Sequence, residues 1–139
     1  MNIEECINFL LTGAQHRVFI KMKKSLKELG LTPIQYGVLK CIWQFDMSNP
    51  KEIAEFLGVE NSTVSGILDR MEGKGLLERE IDVNDRRHII IRLSDSAKEL
   101  EKSVDRIVLE VNQKVLEDFS EEEIVQFKQY LRRVKVAKI

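Results

Sequence analysis

Apolar residues recur at three- and four-residue intervals from Ile3 through Ile7, Leu10, Leu11, Ala14, Val18, Met22 and Leu26 to Leu29, a stripe that predicts one long helix. Gly30 ends it. Thr32 and Pro33 predict the start of a second helix: a hydroxyl N-cap, then an imino acid whose missing N–H is harmless at the first helical position. This helix runs to about Phe45, with Ile34, Val38, Leu39, Ile42 and Phe45 inward. Asn49-Pro50 opens a short helix with Ile53, Phe56 and Leu57 inward, and Gly58 breaks it. In the next segment, NSTVSGILDRMEGKG, Val64, Ile67, Leu68 and Met71 form one side, while Ser62, Thr63, Ser65, Gly66, Asp69 and Arg70 form the other. Gly75 closes that helix as a left-handed C-cap.

The period then changes. LLEREID and HIIIRL are β-rich runs separated by VNDRR, which predicts a β-hairpin with its loop near Asp82 to Arg87. Ser94 caps a further long helix bearing Leu100, Val104, Ile107, Val108, Val111 and Val115. Ser120 with Glu123 forms a capping box for a last helix carrying Ile124, Phe127, Leu131 and Val134. The predicted order is α-α-α-α-β-β-α-α, mainly α with a small β-hairpin.

A short helix, a tight turn and a second helix with a small polar outer face form the helix-turn-helix pattern, whose second helix can enter the major groove of DNA. Short hydroxyl side chains such as Ser62, Thr63 and Ser65 let the backbone approach and exchange hydrogen bonds with bases or phosphates. The bihelix alone leaves the question open, since Ser and Thr near a helix start often serve only as caps. A hairpin directly after that helix is a wing, and Arg86 and Arg87 sit at its tip, suited to the negative potential of a narrow minor groove.

Composition limits the alternatives. The 139 residues, 43% of them hydrophobic, suit one ordinary domain, and the net charge of −1 shows no basic bias. Residues 61–93 carry six basic and six acidic side chains, so any DNA binding rests on a few well-placed charges. No apolar run approaches the roughly 18–20 residues of a membrane span, and no charged leader precedes an apolar one; the expectation is a cytoplasmic protein with no membrane partner. Cys6 and Cys41 are far apart and form no CxxC. His16 and His88 are isolated, so no metal or other cofactor is expected, and no GxSxG, P-loop, HExxH or Rossmann pattern points to an enzyme.

Residues 57–100, LGVENSTVSGILDRMEGKGLLEREIDVNDRRHIIIRLSDSAKEL, resemble the central segment of the multiple-antibiotic-resistance regulator (MarR) family. LGV, STVS, LDRME, KGLLER, the DxxDRR wing and the LS helix start occur together and in order, and TPIQYGVL ahead of them resembles the family's second helix. The resemblance extends over nearly the whole chain. It implies a winged helix-turn-helix lobe at 32–93, flanked by helices at 1–31 and 94–139 that interlock two copies into a homodimer. The dimer is expected to be a sequence-specific transcriptional regulator, a repressor at a pseudo-palindromic operator in double-stranded DNA, with half-sites about 10 bp apart. Two copies of Arg70, Lys74, Arg86 and Arg87 would then face the duplex.

Residue by residue, Arg87 matches the family's minor-groove arginine, Asp85 the acid that orients it, and Arg86 a second phosphate or groove contact. Ser62, Thr63 and Ser65 match recognition-helix contacts, and Arg70 a phosphate contact or structural pair. Asp69 matches an acid that pairs with the wing in some members, so Arg87 has two destinations, the groove or Asp69. Glu60 stands where a small N-cap is usual, and Gly66 where a longer polar side chain is common.

The family's ligand pocket lies between the dimer helices and the DNA-binding lobe, which makes His16, Tyr36 and Trp43 candidates for a small aromatic ligand that releases DNA. The family's hydroperoxide sensors carry a cysteine that aligns with about Asn8. Cys6 is two residues away, a rotation of about 200° on a helix, which weakens a thiol-based reading. Cys41 reads as a small buried hydrophobe. The alternative from another class is a winged-helix docking module with no DNA target.

Overall fold

In the computed structural model, which describes residues 1–139, the N-terminal stripe forms a 3₁₀ turn (Ile3–Glu5), helix α1 (Ile7–Leu26) and a second 3₁₀ turn (Lys27–Leu29). Gly30 follows at φ +69°, a left-handed conformation that suits a residue without Cβ. Helix α2 (Pro33–Phe45) starts on a full capping box, in which Thr32 Oγ1 accepts from Gln35 N and Gln35 Oε1 accepts from Thr32 N. Helix α3 (Pro50–Leu57) is capped by Asn49 and stopped by Gly58 at φ +68°; helix α4 (Asn61–Gly73) begins three residues later.

Strands β1 (Leu77–Ile81) and β2 (Ile89–Leu93) pair antiparallel, with Leu77 opposite Leu93 and Ile81 opposite Ile89. The outer edge of β2 is tied to the α2–α3 connection, because Ile91 N donates to Ser48 O at 2.9 Å. At the hairpin's base Ser94 N donates to Leu76 O at 2.9 Å, while Ser94 Oγ caps helix α5 (Asp95–Glu99). Helix α6 (Glu101–Val115) follows, and helix α7 (Glu121–Lys135) opens on the Ser120/Glu123 capping box.

The core lies where α2, α3 and α4 meet the hairpin and the start of α6, with Leu26, Val38, Leu39, Ile53, Val64, Leu68, Met71, Leu77, Ile91 and Val104 buried. Helix α1 packs along α6. Lys40 on α2 donates to Asp105 on α6 at 2.8 Å, tying the lobe to the long helices. No residue of α7 is buried within the chain.

Two sequence expectations need correction. Phe45 and Phe56 are not core residues: each is about half exposed, and their rings lie against each other with centroids 5.2 Å apart. The helix after Ser94 is not continuous, because Leu100 N donates to Ala97 O in a tighter turn and separates α5 from α6. The first turn belongs to the hairpin's base, to which Ser94 anchors it.

Candidate nucleic-acid interface

Helix α4 buries Val64, Ile67, Leu68 and Met71, so its opposite face is left to solvent by geometry. Ser62, Thr63, Ser65, Asp69 and Arg70 are exposed there, and Gly66 has nothing within 4 Å of where a Cβ would stand. Glu60 is the N-cap residue but makes no side-chain cap, so the first-turn N–H groups of α4 lack a side-chain acceptor within the chain. The result is a smooth helical surface of hydroxyls and free amides ending in one cation, Arg70, that makes no ion pair.

The wing tip is organised by its two aspartates. Asp82 Oδ1 accepts from Asn84 N at 2.9 Å and Asp85 Oδ1 accepts from Arg87 N at 3.1 Å, two turns in which a carboxylate takes the place of a backbone acceptor. Asp82 N donates to His88 O at 3.0 Å, closing the loop below them. Asp85 also receives Nε and Nη2 of Arg87 at 3.1 and 3.2 Å, and its Oδ2 lies 3.4 Å from His88 Nδ1. Arg87's side-chain and then its backbone N–H donation hold the Asp85 carboxyl below the usual carboxylate range, with His88 adding to the effect. The Arg87 side chain is nonetheless 88% exposed, and Arg86 is exposed with no ion-pair partner.

The expected alternative, an Arg87–Asp69 bridge, is absent: Arg87 bonds Asp85 within the tip. Asp69 pairs instead with Arg79 on β1, which also donates to Glu72 Oε2 at 2.9 Å. Glu72 Oε1 accepts Arg79 N at 3.1 Å, so one strand residue is held at two points from α4. Glu72's carboxyl is lowered by the Arg79 side chain and backbone, and the Arg79 guanidinium is raised by Glu72 and then Asp69. The sequence reading assigned Arg79 no role. Strand alternation contains its signal, since Leu77, Arg79 and Ile81 share a face and Leu77 is buried against the lobe. An arginine on that face needs acidic partners.

Lys74 also departs from expectation. Its ammonium does not face outward with Arg70; it donates to Gly30 O at 2.7 Å and to Gln35 Oε1 at 3.1 Å. Of the four cations expected to face DNA, Arg70, Arg86 and Arg87 remain exposed.

The MarR family model matches residues 31–89, from two residues before α2 to the first residue of β2. The organic hydroperoxide resistance transcriptional regulator of Bacillus subtilis is 32% identical over 106 residues, covering 76% of this chain and 72% of that protein. The chain belongs to the MarR family. It is therefore a winged-helix, DNA-binding transcriptional regulator. The HTH-type transcriptional regulator MgrA of Staphylococcus aureus is 32% identical over 111 residues, 76% of each chain. Among solved structures, an Escherichia coli MarR variant complexed with operator DNA aligns with a TM-score of 0.85 at 22% identity, covering 92% of each chain. Bordetella bronchiseptica BpsR, whose DNA binding is regulated by 6-hydroxynicotinic acid, aligns at 0.88 with 20% identity over 99% of each chain.

On this MarR fold, Tyr36 and Trp43 lie seven residues apart on α2, two turns or about 10.5 Å along one side of the helix. Both are half-buried against the core, and Trp43 Nε1 is buried with no hydrogen-bond acceptor. Burial pushes the Tyr36 phenol up, Lys40 opposes it, and Asp105 adds to it. His16 is exposed on α1 and makes no side-chain hydrogen bond within the chain. An open polar groove of about 590 Å³ under the hairpin, lined by Glu72, Leu77, Arg79, Arg92 and Asp95 among others, includes none of the three. Cys6 is half-exposed at the start of α1, whereas Cys41 is buried and its thiol is pushed up by that burial.

Proposed function

We propose that the protein is a homodimeric cytoplasmic repressor, with no catalytic role, that binds a pseudo-palindromic operator and leaves it when a small aromatic ligand is bound. The observation that supports this most directly is the pairing pattern of the hairpin cations. Arg79 and Arg92 are paired with acids along the strands, whereas at the tip Arg86 has no acid partner and Arg87, oriented by Asp85, keeps its side chain 88% exposed. A surface loop with no binding task does not require that division. With Ser62, Thr63 and Ser65 of α4 at base edges or phosphates, Arg70 at the backbone and the wing arginines in the adjacent minor groove, one protomer covers a half-site.

The dimer follows from uncovered apolar surface. Ile7, Leu10 and Leu11 at the start of α1, and Phe127, Leu131 and Val134 on α7, are all more than a third exposed in the single chain. Covering the exposed part of such a side chain stabilises by about 1 kcal/mol, so the six residues in each of two copies together offset the cost of association. Tyr36, Trp43 with its unpaired N–H, and His16 on the neighbouring helix are the residues we assign to the ligand. The direct test is to select fragments of the source genome with purified protein and footprint the enriched sequence. An inverted repeat with half-sites about one helical turn apart is expected. Failure to enrich any fragment at moderate salt would favour a docking module instead.

A thiol-based response is the second reading, favoured by the accessible position of Cys6 and by the B. subtilis relative's name. If hydroperoxide releases wild type from its operator and spares Cys6→Ser, oxidation at Cys6 is the signal. Release of both proteins alike excludes it.

A further inference from the structure

Lys74 follows the last residue of the recognition helix, where a cation would ordinarily favour phosphate or the helix C-terminus. Its ammonium instead meets two carbonyl oxygens and no carboxylate: Gly30 O at 2.7 Å and Gln35 Oε1 at 3.1 Å. Both acceptors sit at one joint. Gly30 is the left-handed residue that ends the α1 segment, and Gln35 is the N3 residue of the α2 capping box. Gln35 is also the one buried polar side chain of the chain, at 3% exposure. Its Oε1 takes Thr32 N at 3.1 Å and Lys74 Nζ at 3.1 Å, which uses both lone pairs.

We infer that Lys74 is a positioning residue, a strut that fixes the C-terminal end of α4 to the α1–α2 joint and carries displacements of α1 to the recognition helix. Three features support the inference. The contact spans 44 positions in sequence, so it is tertiary and not part of the local cap. Gly75, at φ +72°, turns the chain immediately after Lys74, and Leu76 N returns to Met71 O at 3.0 Å, so the base of the strut is itself fixed. Helix α1 runs from this joint to the apolar surface assigned to dimerisation, so the strut links that surface to the end of α4.

Operator readout here rests on the dimeric reading above, and the experiment has one arm that does not. In the DNA-free protein, hydrogen exchange at residues 30–36 should rise by on the order of tenfold in Lys74→Met and return towards wild type in Lys74→Arg. In the DNA arm, wild type is compared on its operator and on one with a base pair inserted between half-sites. Lys74→Met should lose most of the discrimination between the two while keeping the wild-type slope of log affinity against log salt, because no phosphate contact is removed. Lys74→Gln, which retains a shorter donor, replaces Lys74→Met if the latter does not fold. Unchanged exchange overturns the strut, and a slope shallower by about one or more per dimer shows that Lys74 is a phosphate contact instead. If wild type binds no operator, the dimeric reading fails and the exchange arm alone decides on Lys74.

Discussion

At the residue scale, the wing tip rests on Asp85, and its protonation state gives a pH prediction with a definite sign. Its carboxyl is lowered in the folded protein, chiefly by Arg87. The order it gives the tip is therefore fully present above the ordinary carboxylate range and is lost only as pH falls through the lowered value. The Arg87 amide resonance, whose N–H donates to Asp85, should stay constant down through the ordinary carboxylate range and shift below it; a shift within that range would contradict the lowered Asp85 carboxyl. Asp85→Ala should free the Arg87 side chain and weaken operator binding without changing the melting temperature. Arg87→Ala itself should cost about 1–3 kcal/mol of operator affinity, read by fluorescence anisotropy.

At the element scale, α4 and the hairpin are a single unit because Arg79 receives both Asp69 and Glu72. Arg79→Met should leave two carboxylates close together with no counter-charge, lower thermal stability and speed exchange through residues 77–93. Gly66 gives the opposite case: it lies mid-helix with open space at its Cβ. Gly66→Ala should raise stability by about 0.5–1 kcal/mol in thermal unfolding, whatever it does to DNA affinity. Gly58→Ala, at a left-handed φ, should lower it.

Element boundaries were legible where the chemistry is local. Thr32, Asn49, Ser94 and Ser120 each cap the helix expected of them, because a cap depends on the next three residues alone. Phe45 and Phe56 were misplaced because both sit near helix ends, where the periodic stripe runs past the core and the two rings meet outside it. Of the three consecutive isoleucines of β2 only Ile91 is buried, since Ile89 lies towards the open end of the hairpin. Asp85's grip on Arg87 was implied by the family resemblance, and it forms between near neighbours within one turn. The partners of Asp69 and Lys74 were not legible, because each lies across a tertiary gap that sequence spacing does not encode.

At the scale of the molecule, a chain of net charge −1 binds DNA through arrangement and not through overall charge. Acids pair with the cations of the hairpin flanks, while Arg86 at the tip and Arg70 on α4 have no ion-pair partner. Two copies double that pattern, so dimerisation is part of recognition. Leu131→Glu on α7, a residue 40% exposed in the single chain, should shift the protein towards monomer in sedimentation and weaken operator binding together. Intact dimers in that variant would place the interface elsewhere.

The central proposal is that the exposed wing arginines, Arg86 and Arg87, contact DNA. The most direct measurement is operator affinity as a function of salt for wild type and an Arg86→Ala/Arg87→Ala double variant. The double variant should bind more weakly and show a slope shallower by about three to four per dimer, two lost cation contacts for each wing. Equal affinity with an equal slope would contradict it.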